Sequence, residues 1–493
     1  MMKEATVARR RLLQGIAAVA VIGFDPVRRS WLTEAEASRS LVRLPRLDGQ
    51  LVTDAASLAA AADDFGHYIH RTPLAVLKPG SINDVVEMVR YAKQYNLRIA
   101  MRGQGHSTHG QAQVEAGIVI DSSTLASVSV NASDAVVGPG ATWRQITAAT
   151  IPRGLTPPTL PNYIDITIGG NIAGGGIGGA SHRHGAVVDN VLELEVVTGH
   201  GHLRKCSATQ NAALFNAVLG GLGQFGIVVR ARIKLVPAKQ LARLYILQYP
   251  DVGSFLDDAR ALALDERFDH LEGQINADAM GRYGTVTMFA VKYWSPGPAP
   301  VDATLLRGLD HVAQEIQDIP YAAFVARLDP IIEFAKTVGA WALPHPWFDI
   351  FLPASTTETF VEETLATVTA EDTGNGNLIL YPLRRSKFKR PFLRVPQQDE
   401  VFFLYDILGF APPIPEVVNY WVARNTGWLD RGRDLGGKRY NIGSANLTRQ
   451  DWRKYFSPLW PAVLLAKLAY DPMNILTPGQ GIFPWGRPVD CDD

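Results

Sequence analysis

Cysteine is almost absent from this chain: Cys206 and Cys491 are the only two in 493 residues. That excludes a disulfide framework and a cysteine-built metal cluster. Excess charge of either sign is also missing, since 48 Lys and Arg balance 48 Asp and Glu. No net field would recruit nucleic acid or an anionic membrane. No segment reaches the roughly 20 consecutive apolar residues that a membrane span needs. Neither a G-x-x-x-x-G-K-[ST] phosphate loop nor a G-x-G-x-x-G turn at Rossmann spacing is present, which argues against a kinase or a nicotinamide dehydrogenase. There is no G-x-S-x-G elbow of an α/β-hydrolase. The closest histidine pairs, His182-x-His184 and His106-x-x-His109, lack a third ligand, so no metal site is expected.

What is present is an ordinary core composition, 47% hydrophobic and 19% charged, in a chain long enough for two to three domains. At the N-terminus Arg9-Arg10-Arg11 precedes a mildly apolar run from Gly15 to Gly23, with Ala35-Glu36-Ala37 further on. This pattern predicts a twin-arginine export signal, a route for proteins already folded around a cofactor, and hence an exported location. Residues 1–37 are assigned to that signal and its linker. The alternative is a basic tail.

Pro73–Pro79 is predicted as extended, followed by a helix from Ile82 to near Asn96 with Ser81 as N-cap. Leu97–Met101, Gly117–Asp121, Ala135–Gly140, Val191–Gly199 and Ile227–Val236 are predicted strands. Beyond residue 240 the glycine clusters thin out. The strand Val286–Tyr293 and a helical stretch Val301–Ile319 suggest a separate α+β domain, before the tail regains the loop character of the first half.

Two glycine-dense segments carry the chemistry. The first is Arg102-Gly103-Gln104-Gly105-His106-Ser107, continuing through Gly110-Gln111-Ala112-Gln113. Consecutive N–H groups in such a turn make an anion-binding nest, and His106 puts a nucleophilic imidazole beside it. The second runs from Thr167 to Gly179 with seven glycines in thirteen residues. It is too glycine-rich for a regular helix at low cost. Ile168, Ile172 and Ile177 argue against a solvated linker and for a packed backbone lying against a flat ligand.

The first segment resembles the flavin-attachment loop of the cytokinin dehydrogenases, members of the vanillyl-alcohol-oxidase (PCMH-type) FAD-linked oxidoreductases. Further matches follow in order: Thr167-Ile168-Gly169-Gly170; Arg183-His184-Gly185 with Asn190-Val191-Leu192-Glu193; Gly220 to Ile227; His345-Pro346-Trp347-Phe348-Asp349; and Asp471-Pro472 with Pro478-Gly479-Gln480. The resemblance implies an α+β, two-domain fold. An FAD-binding domain would span residues 65–240 and a substrate domain 241–440, and a C-terminal segment, 441–493, would return to the FAD. It also implies FAD bonded covalently through His106, by a single histidyl link. Gly103, Gln104, Gly105 and Ser107 would hold the pyrophosphate, with Gln111, Thr167, Ile177, Ile227, Tyr440 and Gln480 at further flavin-contact positions.

The implied activity is oxidation of a small organic molecule, with hydride passing to flavin N5 while a base removes a proton. One departure stands out. The position of the family's catalytic aspartate is Asn162, and an amide is no base. Asp349 stands where the family usually has asparagine, beside Trp347. This suggests an exchange of carboxylate and amide, with Asp349 the candidate base and Asp165 and Tyr163 its rivals. The substrate could be a cytokinin-like amine, another amine, an alcohol or a secondary metabolite. The alternatives are an alcohol or carbohydrate oxidase on the same scaffold, or a flavin-binding protein without turnover. Oxygen or a quinone is the expected electron acceptor.

Overall fold

A computed structural model describes residues 21–26, 29–33, 42–484 and 489. The arginines of the predicted export signal, its Ala35-Glu36-Ala37 sequence and Cys491 lie outside the described residues. The last part of its apolar run, Val21–Gly23, falls in the strand Val21–Asp25, which pairs with Ser30–Thr33 and Val42–Arg43.

Two larger sheets dominate the first half of the chain. Ala75–Lys78 and Ile99–Arg102 flank Ile118–Asp121 in parallel, and Gln50–Val52 adds an antiparallel edge. Parallel strands need a crossover, and helix Ile82–Gln94 supplies it. Ser81 caps that helix through Asp84 N (3.4 Å), while the buried Asp84 carboxylate accepts from Asp48 N, Gly49 N and Gly80 N. Its buried stripe of Val85, Val86, Met88, Val89 and Ala92 has the helical period. The second sheet is antiparallel, in the order Leu203–Ser207, Val191–Val197, Ile227–Lys234, Asp134–Val137, Val128–Val130.

The second half is one eight-stranded antiparallel sheet. Its order is Ala313–Pro320, Leu241–Tyr249, Tyr283–Trp294, His270–Ala277, Asn377–Arg384, Val401–Leu408, Phe348–Pro353, Lys438–Arg439. Strand alternation sorts its faces. Leu271, Leu380, Tyr405 and Ile350 pack in one core with Phe255 and Phe360, from helices Val252–Asp265 and Ala354–Leu365. Tyr381, Leu404 and Phe351 share the other core with residues of the first half, such as Val196 and Ile177. The polar residues in phase with these, Glu272, Asp349 and Asp406, therefore stand on the face turned to the first half.

Two expectations are corrected. The stretch Val301–Ile319 is helical only over Asp302–Leu305. Ala313–Pro320 is an edge strand in eight-residue register with Leu241–Tyr249, anchored by Arg243 on Asp318 at 2.7 Å. Pairing to a waiting sheet edge overrides weak local propensity. The glycine-rich Thr167–Gly179 segment begins as a helix, Ile168–Gly174, capped by Thr167. Here glycine's cost in a helix is offset by close backbone approach: a Cβ on Gly169 would stand 2.8 Å from Pro139 O.

The tail returns to the first sheet. Ile99 N donates to Ile475 O and Thr477 N to Ile99 O, both 2.8 Å. Lys467 and Asp471, both fully buried, pair at 2.7 Å. Lys467 also donates to Gln224 O (3.1 Å), and Asp471 accepts from Ile475 N and Leu476 N. Removing one partner of such a pair leaves an uncompensated buried charge, at a cost of about 3–5 kcal/mol. Lys467→Met should lower the unfolding free energy in urea by that order, and a change under 1 kcal/mol would refute the tail's dependence on this pair.

Candidate functional site

The His106 loop leaves the end of strand Ile99–Arg102. Gly105 and Gly110 have φ of +69° and +70°, as a nest requires. The backbone N–H groups of Gln104, Gly105, His106, Ser107 and Thr108 donate to no protein atom among the described residues. Unpaired N–H groups along a loop of this conformation suit an anionic, phosphate-bearing cofactor. Gly103 faces Thr167 so closely that a Cβ would collide with the Thr167 hydroxyl. The tail closes the other side: a Cβ on Gly479 would run into Gly110 O and stand 2.7 Å from Gln111 O and Gln113 O. The loop, the capped helix and the tail thus converge backbone on backbone.

The His106 ring lies among aromatics, with centroids of Phe65, Tyr163, Trp347 and Trp341 at 4.3, 4.8, 5.6 and 6.0 Å. Burial lowers its pKa to about 3, so the ring is neutral at physiological pH. Trp347 is held from behind. Asn425, fully buried, donates to the carbonyls of Pro346, Trp347 and Ser444 at 2.9–3.1 Å, and Ser444 N donates to Trp347 O at 2.7 Å. Thr108 donates to Ile442 O at 2.7 Å, and Gln111 accepts from His109 N at 2.7 Å while reaching the carbonyls of Ile442 and Gly443. The second half's 441–444 turn therefore sits directly on the histidine loop.

Of the predicted flavin-contact residues, Gly103, Gly105, His106, Ser107, Gln111 and Thr167 come together here. Gln104 is exposed. Ile177 and Tyr440 share a core, and the Tyr440 hydroxyl lies against the N–H groups of Gly176 and Ile177. Gln480 belongs to the turn Pro478–Gln480, next to Gly479. Ile227 commits its side chain to the core of the first sheet, with Ile475 and Leu476.

Asn162 stands at the centre of a polar cluster. Its Nδ2 donates to both oxygens of Glu272 at 2.9 Å and to the Tyr381 hydroxyl, and its Oδ1 accepts from Arg327 at 2.6 Å. Arg327 also binds Glu272 at 3.1 Å, and His270 Nε2 lies 3.3 Å from the same carboxylate. Burial would push Glu272 up, but His270 and Arg327 outweigh it and hold the carboxyl at about 2. Glu272 is therefore ionised, with its lone pairs occupied. A small cleft lined by Leu160, Pro161, Asn162, His270, Phe324 and Arg327 opens beside the cluster. Glu272, Arg327, His270 and Tyr381 were not anticipated from the sequence. The one available signal was a charged residue at an inward position of the strand His270–Ala277.

Asp349 lies two strands from Tyr381, directly opposite Asp406 on the neighbouring strand. It is 2% exposed and neither of its oxygens has a donor from any other residue. Two buried carboxyl groups so placed cannot both ionise at low cost. Burial, resisted by the Asp406 contact and Arg439, pushes Asp349 well above the usual carboxylate range; burial and the Asp349 charge push Asp406 higher still. The rival Asp165 is bound to Arg144 at 2.5 Å, which draws its pKa down. Tyr163 is held protonated by burial.

Comparison with known proteins agrees with this geometry. Residues 73–207 match a family model described as an FAD binding domain, and residues 300–483 match one described as cytokinin dehydrogenase 1, FAD and cytokinin binding. The chain is 39% identical to an uncharacterized oxidoreductase, ORF5 in the fasciation locus of Rhodococcoides fascians, over 87% of this chain and 97% of that one. It is 34% identical to cytokinin dehydrogenase 4 of Oryza sativa subsp. japonica, over 89% and 91%. Among solved structures, 6-hydroxy-D-nicotine oxidase of Arthrobacter nicotinovorans superimposes with a TM-score of 0.67 at 22% identity, covering 87% of this chain and 96% of that one. A VAO-type flavoprotein of Myceliophthora thermophila gives 0.69 at 17% identity, covering 87% and 86%. These two share the fold. With family models matched over residues 73–207 and 300–483 and a relative 34% identical over 91% of its length, the chain belongs to the cytokinin dehydrogenase family of FAD-dependent oxidoreductases, built on the vanillyl-alcohol-oxidase-type fold.

Proposed function

We propose that this oxidoreductase carries FAD bonded covalently to His106 and oxidises a small nitrogen-containing molecule held between the histidine loop and the eight-stranded sheet. The observation that supports it most is the His106 ring itself: neutral, half-buried, and without a hydrogen-bond partner among the described residues, in a loop of unpaired N–H groups. When bound, FAD supplies a hydride acceptor at N5 and an 8α-methyl carbon for the histidyl bond. The loop N–H groups hold its phosphates, and the tail at Gly479 keeps water from that side.

On the substrate side two carboxyl sites are pushed in opposite directions, which separates their roles. Glu272, ionised and saturated by Asn162, Arg327 and His270, orients. Asp349, sharing a proton with Asp406 and raised by burial, is suited to take up the substrate's proton near neutral pH. Asn162, its amide hydrogens taken by Glu272 and Tyr381, fixes Glu272 instead of acting as a base, and Trp347 packs against the substrate. The cytokinin named in its relatives is one substrate to test. The amide at position 162 favours trying other amines and alcohols beside it. Oxygen or a quinone completes the turnover, and the N-terminal arginines export the folded holoprotein.

Three measurements check these assignments. After acid precipitation the yellow flavin should stay with the protein, and His106→Ala should release it; free flavin from the wild type refutes the tether. Asp349→Asn should slow substrate-dependent bleaching of the flavin under anaerobic conditions by about 10²–10⁴. The base works deprotonated, so the wild-type rate should climb with pH through a midpoint above the ordinary value of about 3.9 for aspartate, and the variant should lose that climb. Bleaching at the wild-type rate removes Asp349 as the base; no bleaching with any amine, alcohol or sugar leaves a flavin-binding protein. Replacing Arg10 and Arg11 together by Lys should keep the protein in the cytoplasmic fraction, and unchanged export would refute the signal.

A further inference from the structure

Asp64-Phe65-Gly66 belongs to none of the motifs that carry the flavin reading, yet it grips the His106 loop at both ends. Asp64 is 2% exposed. Its carboxylate accepts from Gly66 N (3.0 Å), Ser107 Oγ (2.9 Å) and Gly110 N (2.7 Å). The next two residues donate in the opposite direction, Phe65 N to Gly105 O at 2.8 Å and Gly66 N to Ser107 O at 3.2 Å. Residues 105 to 110 are thus tied to a three-residue strap at four points, with His106 at the crest. The strap fits tightly, because a Cβ on Gly66 would collide with Thr108 O. On the far side Phe65 stacks on His345 at 3.8 Å, and His345 Nδ1 lies 2.8 Å from Phe65 O, which fixes the ring that faces His106.

A carboxylate this far from water costs several kcal/mol unless its lone pairs are filled. Burial does push Asp64 up to about 6, against the three donors. Ser107 Oγ and Gly110 N both reach Oδ2, so one oxygen joins the two flanks of the loop, and Gly66 N reaches Oδ1. An amide there would set its NH2 against one of these donors, whereas a carboxylate accepts on both oxygens. Arg102, whose guanidinium packs beside Gly105 and donates to Asp63 O, closes the remaining side.

We infer that Asp64 is the positioning residue for flavin attachment: its carboxylate sets the Gly105–Gly110 backbone so that the His106 ring is presented to the cofactor. The inference rests on the His106 tether proposed above. Attachment would exchange an 8α-methyl C–H and the imidazole N–H for one C–N bond; the two hydrogens with their electrons would leave the flavin reduced, and dioxygen would reoxidise it, forming hydrogen peroxide. Such a step requires a near-attack geometry, and small misplacements of the reacting atom cost rate rather than binding.

The test follows the tether itself. Apoprotein from riboflavin-starved cells is mixed with saturating FAD, and acid-stable flavin is measured over time, beside FAD affinity from fluorescence quenching and the thermal midpoint. Asp64→Asn should slow tethering by at least about tenfold at saturating FAD, with affinity changed far less. Ser107→Ala removes one donor and keeps the carboxylate, so it should slow tethering by a smaller factor. It also decides the matter if Asp64→Asn does not fold. A wild type that forms no acid-stable flavin sinks the His106 reading. A tethering wild type, with variants that tether at its rate or lose affinity and stability in parallel with tethering, overturns the positioning role of Asp64.

Discussion

Backbone packed against backbone at the cofactor loop is the constraint on which the rest of this structure hangs. Gly103 rests on the Thr167 hydroxyl and Gly479 on three carbonyl groups of the 110–113 segment. A side chain at either position would hold the segments apart and open the nest. Aliphatic burial cannot hold the loop, because Ala112 is its one aliphatic side chain between Gly103 and Gln113. The holding groups stand one layer out: the Lys467–Asp471 pair beneath the tail, the Asp64 carboxylate beneath the loop, and Asn425 behind Trp347. Each is a buried polar group with several partners, so each turns a costly burial into a fixed geometry.

The second half contributes a flat array. Glu272, Tyr381, Asp406 and Asp349 lie on one face across four neighbouring strands. Across that row the environment changes from a carboxylate saturated by cations and amides to a pair that cannot both ionise at low cost. A sheet can hold this gradient because period-2 alternation sends the intervening residues, such as Leu380 and Tyr405, into a separate apolar core.

Much of this was legible in residue order. The Ser81-capped helix, the strand feeding the histidine loop and the glycine segments all carry local signals, and the structure has them within a few residues. The ordered motifs placed the chain in its flavoprotein family before any fold was seen. Two kinds of information were not local. Ala313–Pro320 is a strand because Leu241–Tyr249 offers it an edge, and no periodicity within the segment announces that. The Asn162 cluster is assembled from residues 110, 165 and 219 positions away along the chain. Taken singly, Glu272 and Arg327 look like the polar members of ordinary strands and turns. The strap Asp64–Gly66 went unread for the same reason, since its meaning lies in what it touches.

Asn162 gains significance from that cluster. In isolation, an amide where a carboxylate is expected suggests a lost function. In place, its Oδ1 accepts from Arg327 and its Nδ2 donates to Glu272, an arrangement in which both ends of the amide are used and its orientation is determined. A carboxylate at that position would have no hydrogens for Glu272 and would set two negative charges side by side, with Arg327 shared between them. The amide removes the repulsion and frees Glu272 to ionise fully. The cost is a missing proton acceptor, a role that the proposed function assigns to Asp349, opposite Asp406 on the same sheet face. On the assignment proposed above, the charge that position 162 gives up is placed three strands from Glu272, where burial and a second carboxyl raise the affinity of Asp349 for a proton.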